Sequence, residues 1–294
     1  MKMIDSNENK IIDRLQKDLN GFSKLAQILK IETGINLITS EKNITLMASR
    51  LGKVLKRLKI ESYKDYIHLL ENKNPLILTD FISAMTTNTT RFFRESEHFE
   101  VMKKIVPDIL NDKKKDHNYE LRIWCSASST GQEVYTLLMV ILGLIENLNQ
   151  WSLKFLATDI DKMVLQQAAN GIYSRDEVAD IPETHLQEYF VLKSIKPGEL
   201  SYQIKPIYRD MIRFAPFNLL SEKYPFQHPF DIIFCRNVLI YFDTKTVEQV
   251  IKNLSSSLSD QGYLFLGHSE TGAMRAMKNF TSIANSAYQK RGGA

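Results

Sequence analysis

Cysteine is nearly absent: the chain of 294 residues holds two, Cys125 and Cys235. Two thiols make neither a disulfide framework nor a zinc site, and both fall at the ends of expected strands, where a reduced thiol serves as a small core side chain. Long hydrophobic runs are missing too. The longest, Leu137 to Ile145, is too short to cross a bilayer, and the opening MKMIDSNENK is polar with no secretory core. These absences lead to the expectation of a soluble, cytoplasmic chain with no membrane insertion. Neither sign of charge is in excess: 38 Lys and Arg against 34 Asp and Glu leave a net +4. That balance argues against a general nucleic-acid binder, so a basic feature matters only if it is local. None of the six histidines falls in a catalytic triad pattern.

The length allows one large or two modest domains with ample apolar content for a core. The stretch around which the rest is organised is Leu121 to Glu133, LRIWCSASSTGQE. It reads as a buried strand, a turn of small residues, and the start of a helix with Val134, Leu137, Leu138, Ile141, Leu144 and Ile145 at helical spacing. This is the opening unit of a doubly wound α/β domain, in which ligands bind beyond the carboxyl ends of the strands. The next strand, Leu153 to Thr158, ends in Asp159, where an acid can hold the two hydroxyls of a ribose. The turn, however, lacks the GxGxxG that a pyrophosphate needs: it offers Ser126, Ala127, Ser128, Ser129 and Thr130 with one glycine, Gly131. Small residues still admit an uncharged nucleoside, and Glu133 supplies a carboxylate that attracts a cation and repels a phosphate. S-adenosylmethionine, a sulfonium nucleoside, fits that turn better than a nicotinamide dinucleotide. The plain alternative is an ordinary βαβ unit with a solvated Asp159.

Residues 1–83 read as an all-helical domain with breaks at Asn36 to Thr39 and Asn72 to Pro75. In Lys42 to Lys59 an apolar face of Ile44, Met47, Leu51, Val54, Leu55 and Leu58 opposes Arg50, Lys53, Lys56 and Arg57 with no acid between. That row is either a docking face for an acidic partner or a solvated helix face. Thr86 to Arg94, TTNTTRFFR, concentrates hydroxyl, amide, aromatic and guanidinium groups that suit a pocket mouth. Equally, Thr89 or Thr90 could cap a helix that buries Phe93. Lys113 to Lys115 reads as a solvated loop. Residues 189–206 alternate as a hairpin around Lys196-Pro197-Gly198-Glu199, an inserted antiparallel excursion that could pair with a partner's extended peptide or be merely decorative. The sheet resumes at Met211 to Phe217 before Asn218 and at Phe230 to Cys235 before Arg236 and Asn237. A helix from Thr244 to Leu258 follows, and the tail through Asn285 supplies a final hairpin.

Taken together, TTNTTRFFR, the Ser126 to Glu133 turn, TDID at Thr158 to Asp161, Asn218-Leu219-Leu220, FDIIFCRNVLIYFD at Phe230 to Asp243 and GHSE at Gly267 to Glu270 resemble one family along essentially the whole chain. It is the chemotaxis-receptor methyltransferase family, the CheR protein-glutamate O-methyltransferases. The resemblance implies a Rossmann-like S-adenosylmethionine-dependent methyltransferase domain over 84–294 with a small antiparallel β-subdomain inserted at 189–206, preceded by the helical domain. It implies that Asn88, Thr90, Arg94, Glu133, Asp159, Asn218, Leu219, Arg236 and Asn237 line the cofactor site, with S-adenosylhomocysteine as product. The expected substrate is the cytoplasmic helical bundle of methyl-accepting chemotaxis receptors, against which Arg50, Lys53, Lys56 and Arg57 would dock, and the expected state is a monomer. One departure is Gln132-Glu133-Val134, where many members have Glu-Glu-Pro; Glu133 is kept. A glutamate carboxylate is already ionised at neutral pH, so its methylation needs alignment and exclusion of water but no general base and no catalytic histidine. Arg94 would steer that carboxylate and Tyr241 would orient it, unless Tyr241 is a packing aromatic beside Phe242. An amino methyltransferase acting on nucleic acid would show an Asn/Asp-Pro-Pro-aromatic turn where this chain has Arg236-Asn237-Val238.

Overall fold

The computed structural model describes residues 6–72, 74–196, 199–274 and 277–292. The chain divides into two compact units: one runs up to Thr87 and includes Asp161–Met163 and Tyr241–Asp243, the other takes Asn88–Ile160, Val164–Ile240 and the segment from Thr244 on.

The first unit is helical, with α1 (Ser6–Lys17), α2 (Leu19–Thr33), α3 (Glu41–Leu58), α4 (Tyr63–Glu71) and α5 (Pro75–Met85). Local chemistry sets their starts: the side chains of Asp18, Ser40, Ser62 and Asn74 each accept a backbone N–H from the first turn that follows them. Their apolar stripes close on one core that includes Phe22, Leu25, Leu29, Met47, Leu51, Leu55, Tyr66 and Phe81. Within this unit Lys30 pairs with Asp243 at 2.7 Å, and Asn36 N–H donates to the Tyr241 carbonyl at 2.8 Å.

The basic row on α3 is not the uniform solvated face that its sequence suggests. Arg50 turns inward and donates to the carbonyls of Met85 and Thr86 and to Thr87 Oγ1 at 2.7, 3.1 and 2.9 Å. Arg57 pairs with Asp80 at 2.7 Å. The physical reason is the neighbour: α5 ends in carbonyls that no further helical turn satisfies, and a guanidinium reaches them better than water does.

The second unit opens with α6 (Glu97–Lys115) and winds through β1 (Glu120–Cys125), α7 (Gln132–Leu142), β2 (Ser152–Asp159) and α8 (Lys162–Asn170). Next come β3 (Ile172–Ser174), α9 (Glu183–Tyr189), β4 (Phe190–Lys196), β5 (Glu199–Ile204) and α10 (Pro206–Arg209). It closes with β6 (Ile212–Pro216), β7 (Phe230–Cys235), α11 (Thr244–Ser257), β8 (Leu258–Leu266), β9 (Phe280–Ala284) and β10 (Ala287–Lys290). Seven strands form one sheet in the order β6-β2-β1-β7-β8-β10-β9, parallel up to β8 and antiparallel beyond it. Chain progress runs outward from β1 through β2 to β6, then restarts at β7 on the other side of β1. The crevice of such a sheet therefore lies at the carboxyl ends of β1 and β7. Every residue of β7 is buried. That is why Ile232 to Cys235 reads as a continuous apolar run rather than an alternation, with the one polar residue of the strand, Asp231, accepting Arg122 N–H at 2.8 Å.

Three local expectations are corrected. Lys113 to Lys115 is not a loop but the last turn of α6, and Lys113 pairs with the buried Asp231 at 2.8 Å. Neither Thr89 nor Thr90 caps a helix: α6 begins only at Glu97, and Phe93 and Glu95 take left-handed backbone, φ 52 and 54. The inserted sheet is three-stranded, β3-β5-β4, so it recruits Ile172–Ser174 in addition to the 189–206 hairpin. A three-residue strand beside a glycine carries too little pattern to be read alone. The turn residues Pro197 and Gly198 lie outside the described residues.

Candidate functional site

The Ser126 to Gly131 turn leaves β1 and is held on both flanks. Ser126 N–H donates to the Phe234 carbonyl at 2.8 Å and Ser128 N–H to the Thr158 carbonyl at 2.9 Å, so β7 and β2 both grip it. Trp124 Nε1 donates to Thr158 Oγ1 at 2.9 Å, and that hydroxyl donates to the Ser126 carbonyl at 3.1 Å. Gly131 has φ 98, and a Cβ there would meet Ala168 Cβ and the Tyr173 hydroxyl at 2.9 Å. The single glycine of the turn thus serves a left-handed bend packed against α8, and no phosphate cradle is formed.

Asp159 ends β2 and is 8% exposed. Its Oδ2 accepts Ser129 N–H at 2.9 Å, and Ser129 Oγ donates to the Asn88 carbonyl at 3.0 Å, which brings Asn88, the turn and Asp159 together. Asn218 arrives through β6: Asp159 pairs with Pro216, and Phe217 N–H donates to the Asp159 carbonyl at 3.0 Å. Asn218 Oδ1 accepts Leu220 N–H at 2.9 Å, and the tight turn it forms leaves Leu219 buried.

A second group gathers beyond β7. Arg236 is 4% exposed and lies 2.6 Å from Glu133 and 3.0 Å from Glu95, while it donates to the Arg94 carbonyl at 2.7 Å. Burial opposes the charged guanidinium, yet Glu133 and Glu95 outweigh it and hold the Arg236 pKa above its ordinary value. Burial likewise pushes the Glu95 carboxyl up, and Arg236 together with Asn237 and His268 more than reverses it, leaving the pKa below its ordinary value. Glu133 is therefore not the free carboxylate expected from its position at the start of α7. A cation is already there, and one negative charge is left over where Glu95 and Glu133 meet a single Arg236. Asn237, at φ 58, donates through Nδ2 to Glu95 Oε1 at 3.2 Å.

Glu270 holds the same loop from beneath. Its carboxylate accepts the N–H groups of Asn237, Val238, Leu239 and Gly267 at 2.9, 2.8, 2.7 and 2.6 Å. Neither Glu95 nor Glu270 was given a role from the sequence. GHSE flagged the second as part of a motif, but its task is visible only once β8 lies beside β7. Arg94 is half-buried, and its guanidinium donates to the Thr89 carbonyl at 3.0 Å; Thr90 is half-buried as well. Tyr241, half-buried, closes a 3-10 turn and belongs to the helical unit. The cysteines are inert: burial first, then Glu133, raises the Cys125 thiol pKa, and burial first, then Glu270, raises that of Cys235. Both thiols should stay unmodified by a disulfide reagent such as Ellman's in the native chain and react together only in denaturant; prompt modification of one would overturn this.

Comparison with known proteins places these features in one family. The model for the CheR methyltransferase SAM-binding domain matches residues 88–288, and that for the CheR methyltransferase all-alpha domain matches 20–86. A chemotaxis protein methyltransferase of Borreliella burgdorferi is 37% identical over 291 residues, which covers 98% of this chain and 100% of that protein. The chemotaxis protein methyltransferase of Escherichia coli K12 is 34% identical over 251 residues, 85% of this chain and 83% of its own length. An acid at the tip of β2, a small-residue turn with no phosphate-cradling glycines and a residual negative charge fit the cofactor such a domain takes. The chain belongs to the CheR methyltransferase family, and the cofactor of its larger unit is S-adenosylmethionine.

Proposed function

We propose that this methyltransferase esterifies glutamate side chains on the helical bundle of methyl-accepting chemotaxis receptors in sensory adaptation, acting in the cytoplasm as a monomer and without nucleic acid. The observation that carries the reading is end-to-end similarity to a protein named as a chemotaxis methyltransferase. The chemistry agrees with it. Bound S-adenosylmethionine supplies a methyl group activated by its sulfonium, and an ionised carboxylate is nucleophile enough to need no base. The chain's own residues then have to bind, align and exclude water. In this reading Asp159 takes the ribose hydroxyls, and Asn88, Thr90, Asn218, Leu219 and Asn237 complete the cofactor pocket. Glu133 and Arg236 act there as a buried pair that fixes the loop after β7. Arg94 steers the substrate carboxylate and Tyr241 orients it by a hydrogen bond. Incubation with radiolabelled S-adenosylmethionine and receptor-containing membranes should yield base-labile methyl esters on the receptor; label that resists mild base would refute glutamate esterification.

If Tyr241 positions the substrate, Tyr241→Phe should lower turnover while S-adenosylhomocysteine binds as before. Unchanged turnover would make it a packing aromatic.

The docking assignment for Arg50, Lys53, Lys56 and Arg57 divides on the geometry of α3. Lys53 is exposed, whereas Arg50 is spent on the end of α5. Lys53→Glu should therefore raise the KM for receptor membranes at low salt, an effect that fades as ionic strength rises, and alter stability by no more than about 0.5 kcal/mol. Arg50→Glu should instead lose about 1.5–3 kcal/mol of stability, because it removes charge-assisted bonds to the α5 carbonyls. Urea denaturation of the two variants separates the roles. Wild-type stability in Arg50→Glu, or a wild-type KM in Lys53→Glu, contradicts the corresponding half.

A further inference from the structure

Three groups that the methyl-transfer chemistry does not use converge at the carboxyl end of β8: Glu95, His98 in the first turn of α6, and His268 in the 3-10 turn after β8. Glu95 Oε2 stands 3.8 Å from His98 Nδ1 and 3.8 Å from His268 Nε2, and one ligand atom from each residue lies within 4.8 Å of the other two. His98 Nε2 lies 3.3 Å from the Asn285 carbonyl. A carbonyl only accepts, so Nε2 carries the proton and Nδ1 turns a lone pair toward Glu95. All three facing atoms are buried and lack a hydrogen bond among the described residues, although Oε2 keeps its ionic contact with Arg236.

A separation of 3.8 Å exceeds a hydrogen bond, so one proton placed on His268 leaves the His98 lone pair facing the carboxylate with no donor between them, although Arg236 and Asn237 still reach that carboxylate. A metal ion answers all three at once. Tetrahedral ligands bound at about 2.1 Å stand roughly 3.4 Å apart, a few tenths of an ångström inside the two 3.8 Å gaps from Glu95, and the two histidine nitrogens lie within 4.8 Å of each other. We propose that Glu95, His98 and His268 form a binding site for a divalent transition metal of the zinc type. Two imidazoles with one carboxylate favour that class over magnesium or calcium, which take oxygen ligands. Arg236 disfavours positive charge at His98 and Glu95 offsets it only in part, so the ion binds by direct ligation to Glu95 and the two imidazoles and not by the field of the site. Bound there, the metal ties the left-handed Glu95 loop to the segment after β8. Those two pieces also hold Asn237, through Glu95 Oε1 on its side chain and Glu270 on its backbone.

The test uses the full chain without a histidine tag, stripped with a chelator and titrated with cobalt(II) chloride. The site predicts one equivalent bound, the intense visible bands of four- or five-coordinate cobalt rather than the pale hexaaquo ion, displacement of those bands by zinc chloride, and a raised Tm. His268→Ala is the chosen variant because that side chain is 35% exposed and its loss should be tolerated by the fold. It should weaken cobalt binding by roughly 10-fold or more and abolish the shift in Tm. His98→Gln, if it folds, should do the same. Absence of stoichiometric cobalt binding, or equal binding in His268→Ala, overturns the site; neither readout depends on methyl transfer.

Discussion

Arg236→Met is expected to cost about 3–5 kcal/mol of stability, a large part of what a domain of this size possesses. Methionine fills much the same volume, so the loss is electrostatic. It leaves Glu95 and Glu133 facing each other with no cation between them and strips the Arg94 carbonyl of its donor. Both tryptophans, Trp124 and Trp151, lie in the larger unit, so urea denaturation followed by their fluorescence reads this unit alone. Adding Glu133→Gln to the methionine variant should recover part of the loss by removing one of the stranded charges. Arg236→Lys should fall between, since an ammonium cannot span two carboxylates and a carbonyl as a planar guanidinium does. A methionine variant within 1 kcal/mol of wild type (about a fivefold change in the folding equilibrium) would mean that the two carboxylates find water or protons instead, and the pair would lose its organising role.

Asp159→Ala is expected to weaken S-adenosylhomocysteine binding by about tenfold or more, the loss for removing hydrogen bonds to a charged partner being about 1.5–3 kcal/mol. Calorimetric titration measures it, with NADH as a ligand expected not to bind. Asp159 also anchors Ser129 N–H, so the alanine change could act by loosening the turn. Asp159→Asn separates the two effects: it keeps an acceptor for Ser129 but forfeits the negative charge and one acceptor for the ribose hydroxyls. The expected order of affinity is wild type, then asparagine, then alanine. A folded alanine variant with wild-type affinity would end the ribose assignment for Asp159.

Much of the larger unit was legible without coordinates. Strand, small-residue turn and helix at Leu121 to Glu133 follow from short-range pattern, and so does an acid at the end of the next strand. A parallel sheet carries its site at strand ends, so the strand ends at Asp159, Asn218 and Arg236-Asn237 were accessible from local periodicity, whereas the proposal that Asn218, Arg236 and Asn237 meet the cofactor came from the family resemblance. Helix starts were accessible for the same reason, since Asp18, Ser40, Ser62 and Asn74 bond N–H groups two or three residues away.

What could not be read was which charges meet. Glu133 and Arg236 are 103 positions apart, and Arg50 reaches a helix end 35 residues later. Glu95 finds His268 and Arg236 only because β8 lies beside β7 in the sheet. Hydrophobic spacing is a property of neighbours along the chain, whereas a charge pair is decided by strand order and by the water excluded around it. Sequence alone therefore determined where the crevice forms and which cofactor suits it. The tertiary structure decided that Glu133 is paired, that Arg50 braces α5, and that two histidines and a glutamate face one another, because Coulombic partners are chosen by distance through space and by burial.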